Sequence, residues 1–313
     1  LILFTQKFIL SVGARFEKGA SNTSGTINYL PNERVPHQVT HQFGLLGVSF
    51  QYHLNSQHKI YGGWSQSYRP VIFSDIIPAT PLDRTDPNLK NAYGYNTEIG
   101  VRGTVKDKVT YDITFFQMLY KNRIGSLVMT DDNGQNYIWK TNIGDTKTNG
   151  IELYVEYNIL KTQKIKIAYF TASSFFDAVY LNGKIRDGNI NKDITGNRLE
   201  TVPKWVSRNG LQVAYQSWNG ILQYNFVDKS FSDAFNTQIP SANGAKGLVP
   251  GYSIWDFNIS YRISANYLLR FGINNFMNVQ YFTKRPTGYP GQGVWSSDGR
   301  SIVASLQWFV NFF

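Results

Sequence analysis

The residues of this chain that could do chemistry are four histidines, a few carboxylate pairs and a set of arginines set among aromatics. His37 and His41 lie four apart, the spacing that puts two metal ligands on one helix face, but no helical pattern surrounds them and no carboxylate completes a ligand set. A loop pair without a metal is the expectation. His53 and His58 flank a turn, where water satisfies them. Asp131 and Asp132 fall in a loop, and the polarity of a strand wall accounts for Glu98 and Glu152. No nucleophile elbow, phosphate-binding loop or glycine-rich dinucleotide turn follows a strand and opens a helix. Cysteine is absent, which removes disulfides and thiolate sites. The reading is therefore no catalytic residue, no metal ligand, no cofactor and no enzyme.

The arginines carry a different chemistry. Arg69, Arg84, Arg285 and Arg300 fall at or near predicted loops that also hold Tyr289 and Trp295. Guanidinium groups beside aromatics suit oxygen-rich, negatively charged ligands such as carboxylate or catecholate chelates. A mixed polar loop has the same composition, and Arg69 could instead pair with Asp75 or Glu98 and stiffen a wall. The formal charge is +10, from 31 Lys and Arg against 21 Asp and Glu. Nucleic acid is the usual partner of such a balance, but these cations are spread over turns, strands and loops, and no nucleic-acid partner is expected. Wall lining, contacts with anionic lipid phosphates at a rim, and attraction of an anionic ligand all remain open for them.

The elements that must position these groups read as strands. In Tyr252–Ile263, Trp255, Phe257, Ile259, Tyr261 and Ile263 alternate with Asp256, Asn258, Ser260 and Arg262. The last run sets Leu306, Trp308, Val310 and Phe312 against Ser305, Gln307 and Asn311. Alternation gives each strand one apolar and one polar face. Runs of about 9–13 residues with aromatic ends match strands tilted across a bilayer. The mean hydropathy of -0.30 excludes a helical membrane protein but not a barrel. About twelve strands follow: Gln6–Glu17, Phe43–Leu54, His58–Arg69, Asn91–Val105, Val109–Tyr120, one led by Ile151, Ile165–Phe176, Val206–Trp218, Ile221–Asp228 and the C-terminal three. Tight turns alternate with long loops (Lys18–Gln42, Pro70–Lys90, Lys121–Thr146, the stretch up to Lys204, Ser230–Gly251). The Asn219-Gly220 pair is read as a hairpin turn. All tight turns fall at one end and all long loops at the other, the asymmetry of an outer-membrane barrel. Leu1-Ile-Leu-Phe4 reads as the middle of a strand, so a piece of a longer protein is expected.

Several blocks then resemble the TonB-dependent outer-membrane receptors. They are Trp64-Ser-Gln-Ser-Tyr-Arg-Pro-Val-Ile-Phe-Ser-Asp75, Asp86-Pro-Asn-Leu-Lys90, Tyr95-Asn-Thr-Glu-Ile-Gly-Val-Arg-Gly103, Asn122-Arg-Ile-Gly125, Thr141-Asn-Ile-Gly144, Gly150-Ile-Glu152, Gly272-Ile-Asn-Asn-Phe276, Tyr281-Phe-Thr283, Thr287-Gly-Tyr-Pro-Gly291 and Asp298-Gly-Arg-Ser301. Their order and their spread over nearly the whole chain carry the resemblance, which is greatest to the ferric dicitrate type of Bacteroidota-like bacteria. It implies an all-β, transmembrane antiparallel barrel of 22 strands, of which residues 1–313 supply the C-terminal part, with the plug domain missing.

The resemblance also implies a place and partners: the Gram-negative outer membrane with its lipid and lipopolysaccharide, the barrel-assembly machinery, and TonB–ExbB–ExbD acting through the missing N-terminal plug. The cargo it implies is a ferric chelate, ferric citrate or another siderophore. Cobalamin or carbohydrate uptake, a passive porin or adhesion barrel, and a soluble β-rich binding protein are the alternatives. Arg69, Arg84, Arg285 and Arg300 are the expected anion contacts, with Tyr289 and Trp295 as an apolar rim. The family ends on one aromatic in phase with the outward face, here Phe312, and Phe313 is an extra residue.

Overall fold

A strand satisfies none of its own amides and carbonyls, so a chain of alternating strands must pair them sideways. The computed structural model describes residues 2–22, 24–29, 31–32, 35, 38–78, 80–81, 83–286 and 291–310. Its long strands pair in one continuous antiparallel sheet. The twelve long strands are β1 (Phe8–Asn22), β2 (Gln38–His53), β3 (His58–Arg69), β4 (Ala92–Val105), β5 (Val109–Thr130), β6 (Asn136–Lys161), β7 (Ile165–Asp187), β8 (Trp205–Tyr215), β9 (Trp218–Val227), β10 (Tyr252–Arg262), β11 (Tyr267–Asn274) and β12 (Ser301–Trp308). Each pairs with the next, and the short strand Ile2–Phe4 extends the edge beyond β1. With 66% strand and 2% helix the molecule is all-β. Strand β12 and Ile2–Phe4 end the order without meeting, so among the described residues the sheet is open.

The register carries the predicted faces across neighbouring strands. Ile99, Phe115, Ile151, Phe175 and Trp205 lie side by side in one row. Tyr169, Leu211, Leu222, Phe257, Ile273 and Ile302 make another row of the same face. Aromatic pairs edge this face at both ends. Toward the long loops Phe175 stacks on Trp205 at 5.5 Å and Tyr224 meets Trp255 at 4.9 Å. Toward the tight turns Trp218 stacks on Tyr261 at 4.4 Å and Tyr267 on Trp308 at 6.5 Å. Two aromatic belts around an apolar band are what a strand wall needs to sit in a bilayer.

The opposite face is laced by polar side chains. Asp112 accepts from the Tyr61 hydroxyl and from Arg102 Nε, each at 2.6 Å, and Asp256 accepts from Asn225 Nδ2 at 2.7 Å. Such charge-assisted ladders tie neighbouring strands where no apolar core exists to do so. Glu98 and Glu152 belong to this face, in successive rows of β4 and β6.

Two expectations are corrected. The expected loop Lys121–Thr146 is mostly strand. Strands β5, β6 and β7 run 22, 26 and 23 residues, well beyond the roughly 9–11 a bilayer crossing needs. Only Asp131–Gln135 remains as a tip between β5 and β6, and β7 likewise runs on past Phe176. Alternation hides this extension because the β5–β6 register shifts between Tyr120 and Arg123, with Asn122 at φ 59°, and a bulge flips the phase of everything beyond it. Asparagines patch the backbone there: Asn142 Nδ2 donates to the Asn122 and Lys90 carbonyls, each at 2.9 Å. Gly144 is needed at this level, since a Cβ would stand 2.2 Å from the Asn182 carbonyl oxygen.

The β8–β9 turn is Gln216-Ser217, not Asn219-Gly220, which instead pair with Ala214 and Val213. A turn at Asn-Gly would put Trp218 in phase with Gln212 and Ala214 on the polar face. Turning earlier places it opposite Tyr215 and against Tyr261, in the aromatic belt. Face burial outweighed local turn preference. In this cysteine-free chain, Ala214→Cys with Asn219→Cys is expected to close a disulfide on mild oxidation, since paired residues sit about 4.5–5.5 Å apart. Ala214→Cys with Asn225→Cys, the pair an Asn-Gly turn requires, is expected to stay reduced in the same thiol-counting assay.

Candidate functional site

The long loops at the far end of the polar face hold charged and aromatic contacts in two groups. The first gathers the described residues of 70–90 against the β5–β6 hairpin. Asp83–Thr85 pairs in parallel with Ile138–Lys140, and Lys140 Nζ donates to the Ser74 carbonyl at 2.8 Å. Thr141 Oγ1 donates to Asp86 at 2.7 Å. A single helical turn, α1 (Phe73–Ile76), is capped by Asp75, whose Oδ2 accepts from the Ile72 amide at 3.1 Å.

The second group stacks residues 188–204 and 229–251 on the end of β7. Tyr180, Ile194 and Ala234 form a small buried cluster, flanked by Ile185, Leu199 and Phe235. Lys192 and Lys246 clasp Asp187 at 2.6 and 3.0 Å, and both also lie over the Phe235 ring. These two ammonium groups hold the Asp187 carboxyl below the usual carboxylate range. Between the groups stands Arg123, paired with Glu200 and set over the Tyr180 ring, while the Tyr180 hydroxyl donates to Glu200 at 2.8 Å. Burial pushes that phenol well above its ordinary range. Asn191 adds a second bridge by capping both backbone groups of Val128.

Of the six residues expected to touch a ligand, Arg69 and Arg84 fall in the first group. Arg69 pairs with Asp75 at 2.9 Å, and Arg84 lies 4.0 Å over the Tyr137 ring with Asp131 at 3.4 Å. Arg285 belongs to the second group, donating to the Leu248 and Gly244 carbonyls at 3.1 and 3.0 Å. Trp295 is exposed in the small hairpin of Phe282–Lys284 with Trp295–Ser296, where Lys284 lies over its ring at 5.7 Å. Arg300 is exposed; its amide donates to Asn278, and its guanidinium has no partner among the described residues. Tyr289 lies outside the described residues, as do His37, Phe312 and Phe313. His41 sits in strand β2, so its spacing to His37 carries no helix face.

Sequence reasoning did not find Arg123, Tyr180 and Glu200, or Asp187 with Lys246. The members of each set are far apart in the chain and share no motif, so only the fold brings them together.

An open antiparallel wall with one polar face, one aromatic-edged apolar face and loops gathered at one end is the architecture of a receptor barrel. The model of the "TonB dependent receptor-like, beta-barrel" family matches residues 2–276, and the chain belongs to that family. It is 20% identical over 247 residues to the vitamin B12 transporter BtuB of Vibrio vulnificus, covering 79% of this chain and 35% of that protein. Among solved structures it resembles the ferric citrate transporter FecA in its unliganded form, at TM-score 0.74 and 20% identity, over 97% of this chain and 43% of that one. It also resembles the siderophore receptor PiuA of Acinetobacter baumannii, at TM-score 0.71 and 20% identity, over 97% and 41%. Identities this low carry the fold and not the ligand. The chain spans well under half the length of each of these relatives.

Asp75 sets how firmly the first group is held. Burial alone would raise its carboxyl, but the Arg69 guanidinium and the Ile72 amide outweigh that and hold it below the usual range. A depressed carboxylate stabilises fully above its unfolded value and loses that contribution as pH falls through the folded one. Amide protection over residues 72–77, corrected for intrinsic exchange, is therefore expected to hold steady from neutral pH down to about 4 and to fall below that. Asp75→Asn is expected to show the low protection at every pH.

Proposed function

We propose that this chain is the C-terminal part of the barrel of an outer-membrane receptor that imports an anionic ferric chelate into the periplasm. The observation that carries this reading is the placing of cations and aromatics at the loop end of a wall whose other face is apolar between two aromatic belts. Iron chelates of the citrate and siderophore classes present negatively charged oxygens, which guanidinium groups hold in bidentate fashion. Relatives named for ferric citrate and siderophores support the cargo class. TonB–ExbB–ExbD would drive the import through a plug that lies outside this chain.

The six residues divide by role. Arg84, Arg300, Trp295 and Tyr289 act as contacts with the ligand, Arg84 carrying Asp131 as a partner it can exchange. Arg69 and Arg285 position the loops, through Asp75 and through two carbonyls, and reach the ligand only when those partners give way. Cobalamin uptake is the second reading, favoured by the vitamin B12 transporter among the relatives.

Replacing Arg84 and Arg300 by Gln in the full-length receptor, then measuring labelled ferric citrate binding and uptake, tests the anion site. Loss of charged hydrogen bonds worth about 1.5–3 kcal/mol corresponds to roughly ten- to hundredfold weaker binding. Binding within about threefold of the parent would make these arginines structural, and labelled cobalamin uptake by the parent would move the cargo to the second reading.

The membrane reading has its own test. Leu211→Arg on the apolar face, midway between the belts, is expected to cost about 2–4 kcal/mol of stability in lipid vesicles. Gln212→Arg, one residue along and on the polar face, is expected to cost well under half of that in the same denaturant titration.

A further inference from the structure

A cavity on the polar face lies far from the loops, near the tight-turn end of β8–β12. It encloses about 400 Å³, at the small end of the about 300–1,000 Å³ usual for small-molecule sites. Gln212, Asn219, Asn258, Ser260, Arg270 and Ser305 line its polar side. Asn219, Ser260, Arg270 and Ser305 form one row across four strands, and Gln212 and Asn258 belong to the row above. Gly272 opens that upper row, since a Cβ there would stand 2.5 Å from Asn258 Oδ1.

Arg270 has a second arginine beside it. It pairs across to Ser260, and Arg262 is the next residue of β10 on the same face, toward the turns. The two are diagonal neighbours, on the order of 7–8 Å apart along the sheet. Both are exposed. Among the described residues neither guanidinium makes an ion pair or a hydrogen bond, and Arg262 lies 5.5 Å over the Phe309 ring. Other cations of this face are matched. Arg102 holds Asp112, Lys166 holds Glu156 at 3.2 Å, Lys59 donates to Gln51 at 3.0 Å and Arg208 to Asn225 at 3.2 Å. The carboxylate of β10 on this face, Asp256, is already taken by Asn225 and by the Asn275 amide. It also lies about 13 Å up the strand from Ser260.

Two unmatched guanidiniums this close repel each other, and a multiply charged anion between them removes that cost. Their forks suit carboxylate oxygens, and the amides and hydroxyls around them add hydrogen bonds without adding charge. We propose that Arg262, Arg270 and this cavity form a second anion station, which takes a polycarboxylate chelate on its way from the loops to the periplasm. The proposal rests on the ferric-chelate reading and deepens it: the loop arginines capture the cargo, and this pair receives it near the exit. Exposed ion pairs are weak, so the station can let its cargo go.

The test is arginine modification by phenylglyoxal in the detergent-purified full-length receptor, read residue by residue by peptide mass spectrometry, with ferric citrate as the probe. Arg262 and Arg270 are expected to react freely in the unliganded receptor and at least fivefold more slowly with ferric citrate present. Equal protection by the same concentration of acetate overturns the proposal, because a single carboxylate then suffices. Protection before any chelate is added also overturns it, since a protein segment inside the barrel then covers the pair. In energised cells Arg262→Gln with Arg270→Gln is expected to lower ferric citrate uptake at least fivefold, and uptake within twofold of the parent overturns the station. If that double variant fails to assemble, the modification of the parent still decides. A parent that binds ferric citrate without protecting Arg270 breaks only this inference, whereas a parent that binds none breaks the proposed cargo as well.

Discussion

Every amide and carbonyl of a strand that crosses lipid must find its partner on a neighbouring strand, because hydrocarbon offers none. This chain meets that constraint by pairing each long strand with the next from β1 to β12. The rest of the structure follows. With the backbone paired sideways, the side chains of each strand are free to divide between two environments, and no buried apolar core is needed to hold the wall. Apolar burial accordingly concentrates at the loop end, where Ile194, Tyr180 and Ala234 pack on β7.

The same constraint explains the hairpins that rise beyond the aromatic belts. Once past the membrane the strands need not continue, since water satisfies the backbone. Strands β5, β6 and β7 continue nonetheless, and the register irregularity at Tyr120–Arg123 separates a membrane-length portion from an upper portion. Asparagine and aspartate side chains at that level take up the backbone groups the irregularity leaves: the Asn122 amide donates to Asp145 at 3.0 Å, and the Asp145 amide to Asn182 at 3.1 Å. The upper hairpin is thus a stiff platform, and residues 70–90 lie against it through Lys140, Thr141 and Arg84.

The membrane portion was legible in the sequence because a period of two survives wherever one face is apolar. Trp255, Phe257, Leu306 and Trp308 announced their strands unaided. Above the irregularity the legibility ends. Leu127, Val128, Ile138 and Trp139 are apolar enough for strands, but the bulge breaks their phase and the Asn, Asp and Gly around them read as loop. The Asn219-Gly220 misreading has the opposite cause. A strong local turn signal was overruled by the placing of one tryptophan, and that placing depends on Tyr261, which lies on another strand. For the site, the Arg69–Asp75 pair was within reach of sequence reasoning because its members lie six residues apart. Arg123 and Glu200 were not.

The pairing of the loop arginines bears on how an anion could be held there. A guanidinium has five donors in a fixed fork, so neighbouring carboxylates and carbonyls hold it in place. Arg69 has Asp75, Arg84 has Asp131 and the Tyr137 ring, and Arg285 has two carbonyls. On the proposed reading an anion reaching these three exchanges partners, whereas the exposed Arg300 guanidinium, with no partner among the described residues, meets it directly. The exchange is easiest where the existing contact is longest and most exposed, which is the 3.4 Å Arg84–Asp131 pair and not the 2.9 Å Arg69–Asp75 pair on a nearly buried carboxylate. Because Asp75 also caps α1, drawing Arg69 away would loosen that helical turn. On the proposed reading, ligand contact at Arg84 would leave that turn in place, whereas contact at Arg69 would take Asp75 out of its ion pair.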